Sequence, residues 1–204
     1  VRGISFPEER TNTMWLSLAS APAEQPVTLD EAKKHLRVLN TAEDTLISAL
    51  VMAATAHLEG RSGILGRALV TQTWEMRIDC FPWRRIELPM PPLQSVTSLK
   101  YIDDAGVEQT MPTADYVVDA QHMIGRIRPA HGTQWPSTLD DEGAVRITFV
   151  AGYGAAGAVP QPIKQAILLL VGHWWINREA VGEAGGPHAL AVEALTQPFR
   201  VHAP

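Results

Sequence analysis

The sequence predicts an α+β chain: a small helical bundle into which an antiparallel β-sandwich or barrel-like segment is inserted. Three observations predict it. Two amphipathic helical patterns open the chain and one strongly apolar helical pattern follows near its end. Between them the hydrophobic period changes from about 3.6 to 2. That middle stretch holds many short alternating runs with close turn signals, the pattern of a small antiparallel sandwich or barrel. The expected organisation is an irregular segment over 1–26, a helical core built from 27–66 and 155–181, a strand-rich insertion over 67–154, and a linker and tail over 182–204.

The first 13 residues are polar and irregular and read as a leader ahead of Met14, outside the fold. Residues 14–23 are mildly apolar but lack the basic start and long apolar centre of a secretory signal. Thr28 followed by Glu31 is a capping box, in which the hydroxyl takes an orphan amide and the carboxylate reaches back. Leu29, Ala32 and Leu36 then share a face, and the helix ends near 37–40. Thr41 to Asp44 opens a second helix in the same manner. Its stripe is Leu46, Ile47, Leu50, Val51, Ala54 and Leu58, and Gly60 and Gly63 stop it.

From Ala68 onward Val70, Trp74, Met76 and Ile78 alternate with polar residues, which predicts a half-buried strand. Further strands are expected at 85–88, 96–102, 107–111, 116–118, 123–128 and 144–150, with a hairpin turn at Asp103-Asp104-Ala105-Gly106. Pro160 and Pro162 mark the start of the last long helix, where missing amides cost least. Ile163, Ala166, Ile167, Leu170, Val171, Trp174 and Trp175 cover more than half of its circumference. Such a helix is buried on several sides, against the second helix and against neighbouring subunits. Asn177 and Arg178 close it, with Arg178 at the negative end of the dipole. A loose Gly/Ala stretch over 182–186 leads to a short helix at 189–195.

Composition narrows the function classes. Of 204 residues 46% are hydrophobic and 19% charged, a globular balance. The net charge of −5, with no basic run longer than Lys33-Lys34 or Arg84-Arg85, disfavours tight binding to phosphates. No apolar stretch reaches the roughly 18 residues of a membrane helix. The lone Cys80 cannot form an internal disulfide and reads as a small buried residue, not a nucleophile.

Catalytic patterns are weak. Gly152-Tyr-Gly154-Ala-Ala-Gly157 matches the GxGxxG pattern of a dinucleotide loop. In that fold the last glycine already lies inside a helix, whereas here two prolines delay the helix and too little chain remains for a doubly wound sheet. The glycines read as a flexible elbow between sheet and helix, with a nucleotide-binding enzyme as the alternative. The histidines at 35, 57, 122, 131, 173, 188 and 202 have no zinc-helix spacing. The acids at 103–104 and 140–142 sit in turns, and no G-x-S-x-G elbow exists. No catalytic residue, metal ligand or cofactor is expected. The six tryptophans, without a basic groove, point to packing and subunit contact.

Four stretches, taken in order, resemble the phage head-tail connector family called gp6-like, in the longer form of proviruses and gene transfer agents. They are Val27–Leu36 with the Asp44-Leu46-Ile47 helix and Glu59-Gly60; Thr71–Trp74 with Ile86–Pro89 and Pro92-Leu93; Gly125–Ile127 with Trp135-Pro136; and Phe149–Gly154 with Val159-Pro160, Ala166–Leu170, His173-Trp174 and Asn177–Glu179. Leu195 with Pro198-Phe199-Arg200 is similar to the family's closing pattern. The resemblance implies a non-enzymatic virion protein that assembles in the host cytoplasm and stands in the phage neck. It implies a homo-oligomeric ring, usually of twelve subunits, under a portal protein. DNA passes the lumen without specific binding and leaves on ejection. A tail or stopper protein docks on the far side. Leu195, Pro198, Phe199 and Arg200 are the expected portal-binding tail. Ile163, Ile167, Leu170, Trp174 and Trp175 are the expected subunit interface, since a head-to-tail contact that closes makes a ring.

Overall fold

The computed structural model describes residues 12–177 and 187–201. The expected leader up to residue 11, the closure of the last helix by Arg178, the loose 182–186 stretch and His202 lie outside these residues, as does the side chain of His188.

Two hydrophobic cores organise the chain. The first is helical. Helix α1 (Leu29–Leu36) begins with the capping box: Thr28 Oγ1 accepts the Glu31 amide, and the Glu31 carboxylate accepts the Thr28 amide. Arg37, in the left-handed region, ends it. Helix α2 (Asp44–Leu58) has Glu43 at its N-cap with no side-chain cap, so the second capping box expected from Thr41 does not form. The chain makes a turn there instead, with the Asp44 amide on the Thr41 carbonyl, and the Asp44 carboxylate takes Lys33 of α1 at 2.6 Å. Helix α3 (Gln161–Ile176) and helix α4 (Pro187–Thr196) complete the group. Helix α3 packs on α1, α2 and α4. Lys164 of α3, almost wholly buried, is neutralised by Glu31 of α1 at 2.9 Å.

The second core lies between two antiparallel sheets. The larger has the order β1-β2-β8-β4-β5, formed by Met14–Ser20, Gln72–Ile78, Val145–Ala151, Leu93–Ile102 and Glu108–Thr110. The smaller has the order β3-β7-β6, formed by Ile86–Leu88, Gly125–Pro129 and Tyr116–Asp119. Strict alternation on β8 puts Val145, Ile147, Phe149 and Ala151 inside, where they meet Ile86, Leu88 and Ile127 of the smaller sheet. The segment is therefore a sandwich of two open sheets, within the fold class expected.

One element departs from the sequence reading. Residues 14–20 are not irregular: they form β1, paired along β2 from Met14 opposite Ile78 to Ser20 opposite Thr73. Met14, Leu16 and Leu18 alternate with Trp15 and Ser17, a period-2 pattern that becomes legible once β2 offers an edge.

Candidate functional site

The glycine segment is a crossing, not a nucleotide loop. Gly152 has φ +119°, and a Cβ there would lie 2.5 Å from the Val70 carbonyl oxygen. The Tyr153 amide donates to the Leu69 carbonyl, and the Thr71 amide donates to the Gly154 carbonyl, both at 2.9 Å. The elbow expected to be flexible is thus packed and hydrogen-bonded. A short 3-10 turn (Ala156–Ala158) and Pro160 separate it from α3, so no helix N-terminus faces the glycines.

The other chemical candidates are structural as well. Asp103 accepts the Ala105 and Val107 amides and the Gln109 side chain, closing the β4–β5 turn and lowering its own pKa. Asp141 accepts the neighbouring Glu142 amide. His57 meets Trp174 edge-on, and His35 packs against Gly172. Cys80 is half-buried at the end of β2, with its backbone bonded to Asn12. Among the described residues no three His, Cys, Asp or Glu side chains gather to hold a metal. No helix among them is long and apolar enough to cross a membrane.

The expected interface residues divide into two groups. Ile163 and Ile167 are fully covered by the chain's own helical core, so in this conformation they cannot meet a neighbour. The reason is that α1, α2 and α4 all pack on α3 and together cover a face that the sequence leaves in part to another subunit. Leu170, Trp174 and Trp175 are half-buried on the same core, and Ile176 at the helix end is 77% exposed.

The tail residues are folded back as well. Leu195 and Phe199 pack on the helical core, and the Val201 amide donates to the Leu65 carbonyl at 2.9 Å. Thr196 is wholly buried, its hydroxyl on the Val192 carbonyl. Pro198 is exposed, and Arg200 reaches Glu193 at 3.7 Å.

A second apolar surface stands on the opposite side of α2 from its buried stripe, and Leu46, expected in that stripe, lies on it instead. Leu46, Ala49, Met52, Ala53 and Ala56 are exposed there, Met52 by 54%. Between Asp44 and His57 the helix carries no charge, and α3 carries none besides buried Lys164. Solvated helix faces normally carry charged residues. The missing charges of residues 45–56 are the signal that could have found this face.

The comparisons agree with this architecture. Residues 26–79 match the family model described as phage gp6-like head-tail connector protein. A chain from the neck of an empty gene transfer agent (GTA) particle, computed with C6 symmetry, is 28% identical with a TM-score of 0.76, over 93% of this chain and 97% of that one. A chain from the virion of a native GTA particle is also 28% identical at TM-score 0.76, over 93% and 96%. One from the neck of a native GTA particle, computed with C12 symmetry, shares the fold at TM-score 0.70 with 23% identity, over 93% and 97%. No curated protein matches. Residues 26–79 are thus similar to the gp6-like head-tail connector domain, and the chain as a whole is similar in fold to chains from the neck and virion of gene transfer agent particles.

Proposed function

We propose that the protein is a structural head-tail connector: one subunit of a homo-oligomeric ring in the neck of a phage-like particle of the gene-transfer-agent kind. It joins a portal protein to a stopper or tail component and leaves an open channel for DNA. It has no enzymatic activity in this role. One observation carries the reading: the fold matches a GTA neck chain from end to end, over 93% of this chain and 97% of the other.

The uncharged outer face of α2 supports the same reading. Half-buried Trp174 meets His57 at the end of α2, and aromatic residues are enriched in subunit contacts. Leu170, Trp174 and Trp175 remain the α3 side chains proposed for the subunit contact. Leu195, Pro198, Phe199 and Arg200 remain those proposed for the portal.

Mass photometry of the purified chain, alone and with the cognate portal protein, tests the proposal. A discrete ring, or assembly upon the portal, is expected. A protomer that stays solitary and ignores the portal at every concentration would overturn it.

A further inference from the structure

The helical core and the sandwich are joined by three chain crossings: 21–28 from β1 into α1, 66–71 from the helices into β2, and 152–160 from β8 back to α3. The outgoing link faces both ways: Ala68 is buried in the sandwich core, whereas Leu69 and Val70 are buried in the helical core. One side chain of the helical core grips this link. Glu59, at the C-cap of α2, accepts the Leu69 amide at 2.7 Å and the Gln72 side-chain amide at 2.6 Å. Gln72 opens β2, is 4% exposed, and also donates to the Val70 carbonyl. The loop behind Glu59 is itself fixed. Ile64 and Leu65 amides take the His57 and Leu58 carbonyls at the end of α2, and the Gly60 amide takes the Arg67 carbonyl. Arg67 bonds to the Tyr153 hydroxyl on the returning link, at 2.6 Å.

We propose that Glu59 is a positioning residue, a latch that fixes the orientation of the β-sandwich relative to the helical core. Both donors converge on the same oxygen, Oε1. The latch therefore needs a carbonyl-like acceptor at that point, not a charge, and the second oxygen is spare. Burial raises the Glu59 pKa while the two donors pull it down, so the site penalises the very charge it does not use. Removing the acceptor leaves the Leu69 amide without its partner and leaves Gln72 only its bond to the Val70 carbonyl, in a place that water reaches poorly, which costs more than a simple lost hydrogen bond. A glutamine keeps the acceptor at the same reach and removes the ion.

The latch belongs to the protomer and does not depend on ring formation. It is tested by spin-label distances in the full chain, with cysteines introduced at exposed Lys34 on α1 and Val107 on the β4–β5 turn in a Cys80→Ser background. A single narrow distance distribution is expected for the parent and for Glu59→Gln. A clearly broadened or shifted one is expected for Glu59→Ala. Gln72→Met, which removes one of the two donors but keeps its volume, gives an intermediate width and serves if Glu59→Ala does not fold. A Glu59→Ala or Gln72→Met distribution as narrow as the parent's overturns the proposal. So does a Glu59→Gln distribution as broad as that of Glu59→Ala. Ring formation, read separately on the same proteins, reports on the assembly reading and not on the latch.

Discussion

The uncharged face of α2 gives the sharpest test of assembly. Ala53 is exposed on it, whereas the adjacent Ala54 is wholly buried against the chain's own core. Ala53→Glu leaves the protomer's packing intact. In the isolated chain it costs only the difference in helix propensity, a few tenths of a kcal/mol. In a ring that buries this face, an unpaired carboxylate must be desolvated at every subunit contact, at a cost of about 3 kcal/mol each. That is about a hundredfold weaker association per contact, at roughly 1.4 kcal/mol per decade. Mass photometry across a concentration series should show assembly lost or displaced to far higher concentration. Thermal unfolding of the same sample should show a midpoint within about two degrees of the parent. Ala54→Glu is the inverse control: it should abolish folding outright. The reasoning fails if Ala53→Glu assembles like the parent, because the face is then not shared. It fails equally if Ala53→Glu unfolds the protomer, because the face was then not free.

Three further outcomes follow from the geometry. Gly152→Ala combines a left-handed φ with a Cβ set 2.5 Å from the Val70 carbonyl, and should lower stability by about 3 kcal/mol or more in urea unfolding. Glu31, held below its usual pKa first by Lys164 and then by the Thr28 amide, contributes stability that is present above the ordinary carboxylate pKa and lost as pH falls through the depressed folded value. Glu31→Gln keeps the capping-box geometry but strips Lys164 of its counter-charge, so it should cost about 1 kcal/mol at pH 7 and flatten the acid limb of a stability-against-pH curve. Deleting residues 187–204 should abolish portal binding and also lower the melting temperature by several degrees, because Val192, Thr196, Leu195 and Phe199 cover the helical core; an unchanged melting temperature would show that the tail does not dock in solution.

What was legible in the sequence was what local chemistry decides. The Thr28–Glu31 capping box is a contact within one turn, so it could be read directly. The alternation of Val145, Ile147, Phe149 and Ala151 reports a sheet with one dry face whatever its neighbours are. What was not legible depends on which surface covers which. An apolar α3 can be covered by another subunit or by the chain's own helices, and Ile163 and Ile167 read the same either way. Met14–Ser20 is a strand because β2 presents an edge more than 50 residues later in the chain. Thr41 does not cap because the chain turns between it and Asp44, whose amide bonds to the Thr41 carbonyl and whose carboxylate is taken by Lys33 of another helix. Glu59 is read in the sequence only beside Gly60 as part of a resemblance, since its reach to Leu69 and Gln72 crosses the junction between the two cores.

The two halves of the molecule treat solvent differently. The outer face of the large sheet carries a ladder of charges. Arg77 pairs with Glu75 at 2.7 Å on β2, Arg146 of β8 reaches Glu108 at 3.3 Å, and Lys100 of β4 reaches the same Glu108 at 2.8 Å. Exposed pairs of this kind add little to stability, about 0–1 kcal/mol each. Their effect is to keep a sheet face wet and to make its burial against a chance partner unfavourable. Helix α2 is under the same demand for solubility, yet from Thr45 to Ala56 it offers water no charge at all. A chain that protects one face with five charged groups and leaves another with none is not indifferent to what touches them. The bare face belongs to the helical core, the part that also holds the folded-back tail. The helices are therefore the part of the chain on which the proposed assembly contacts are placed.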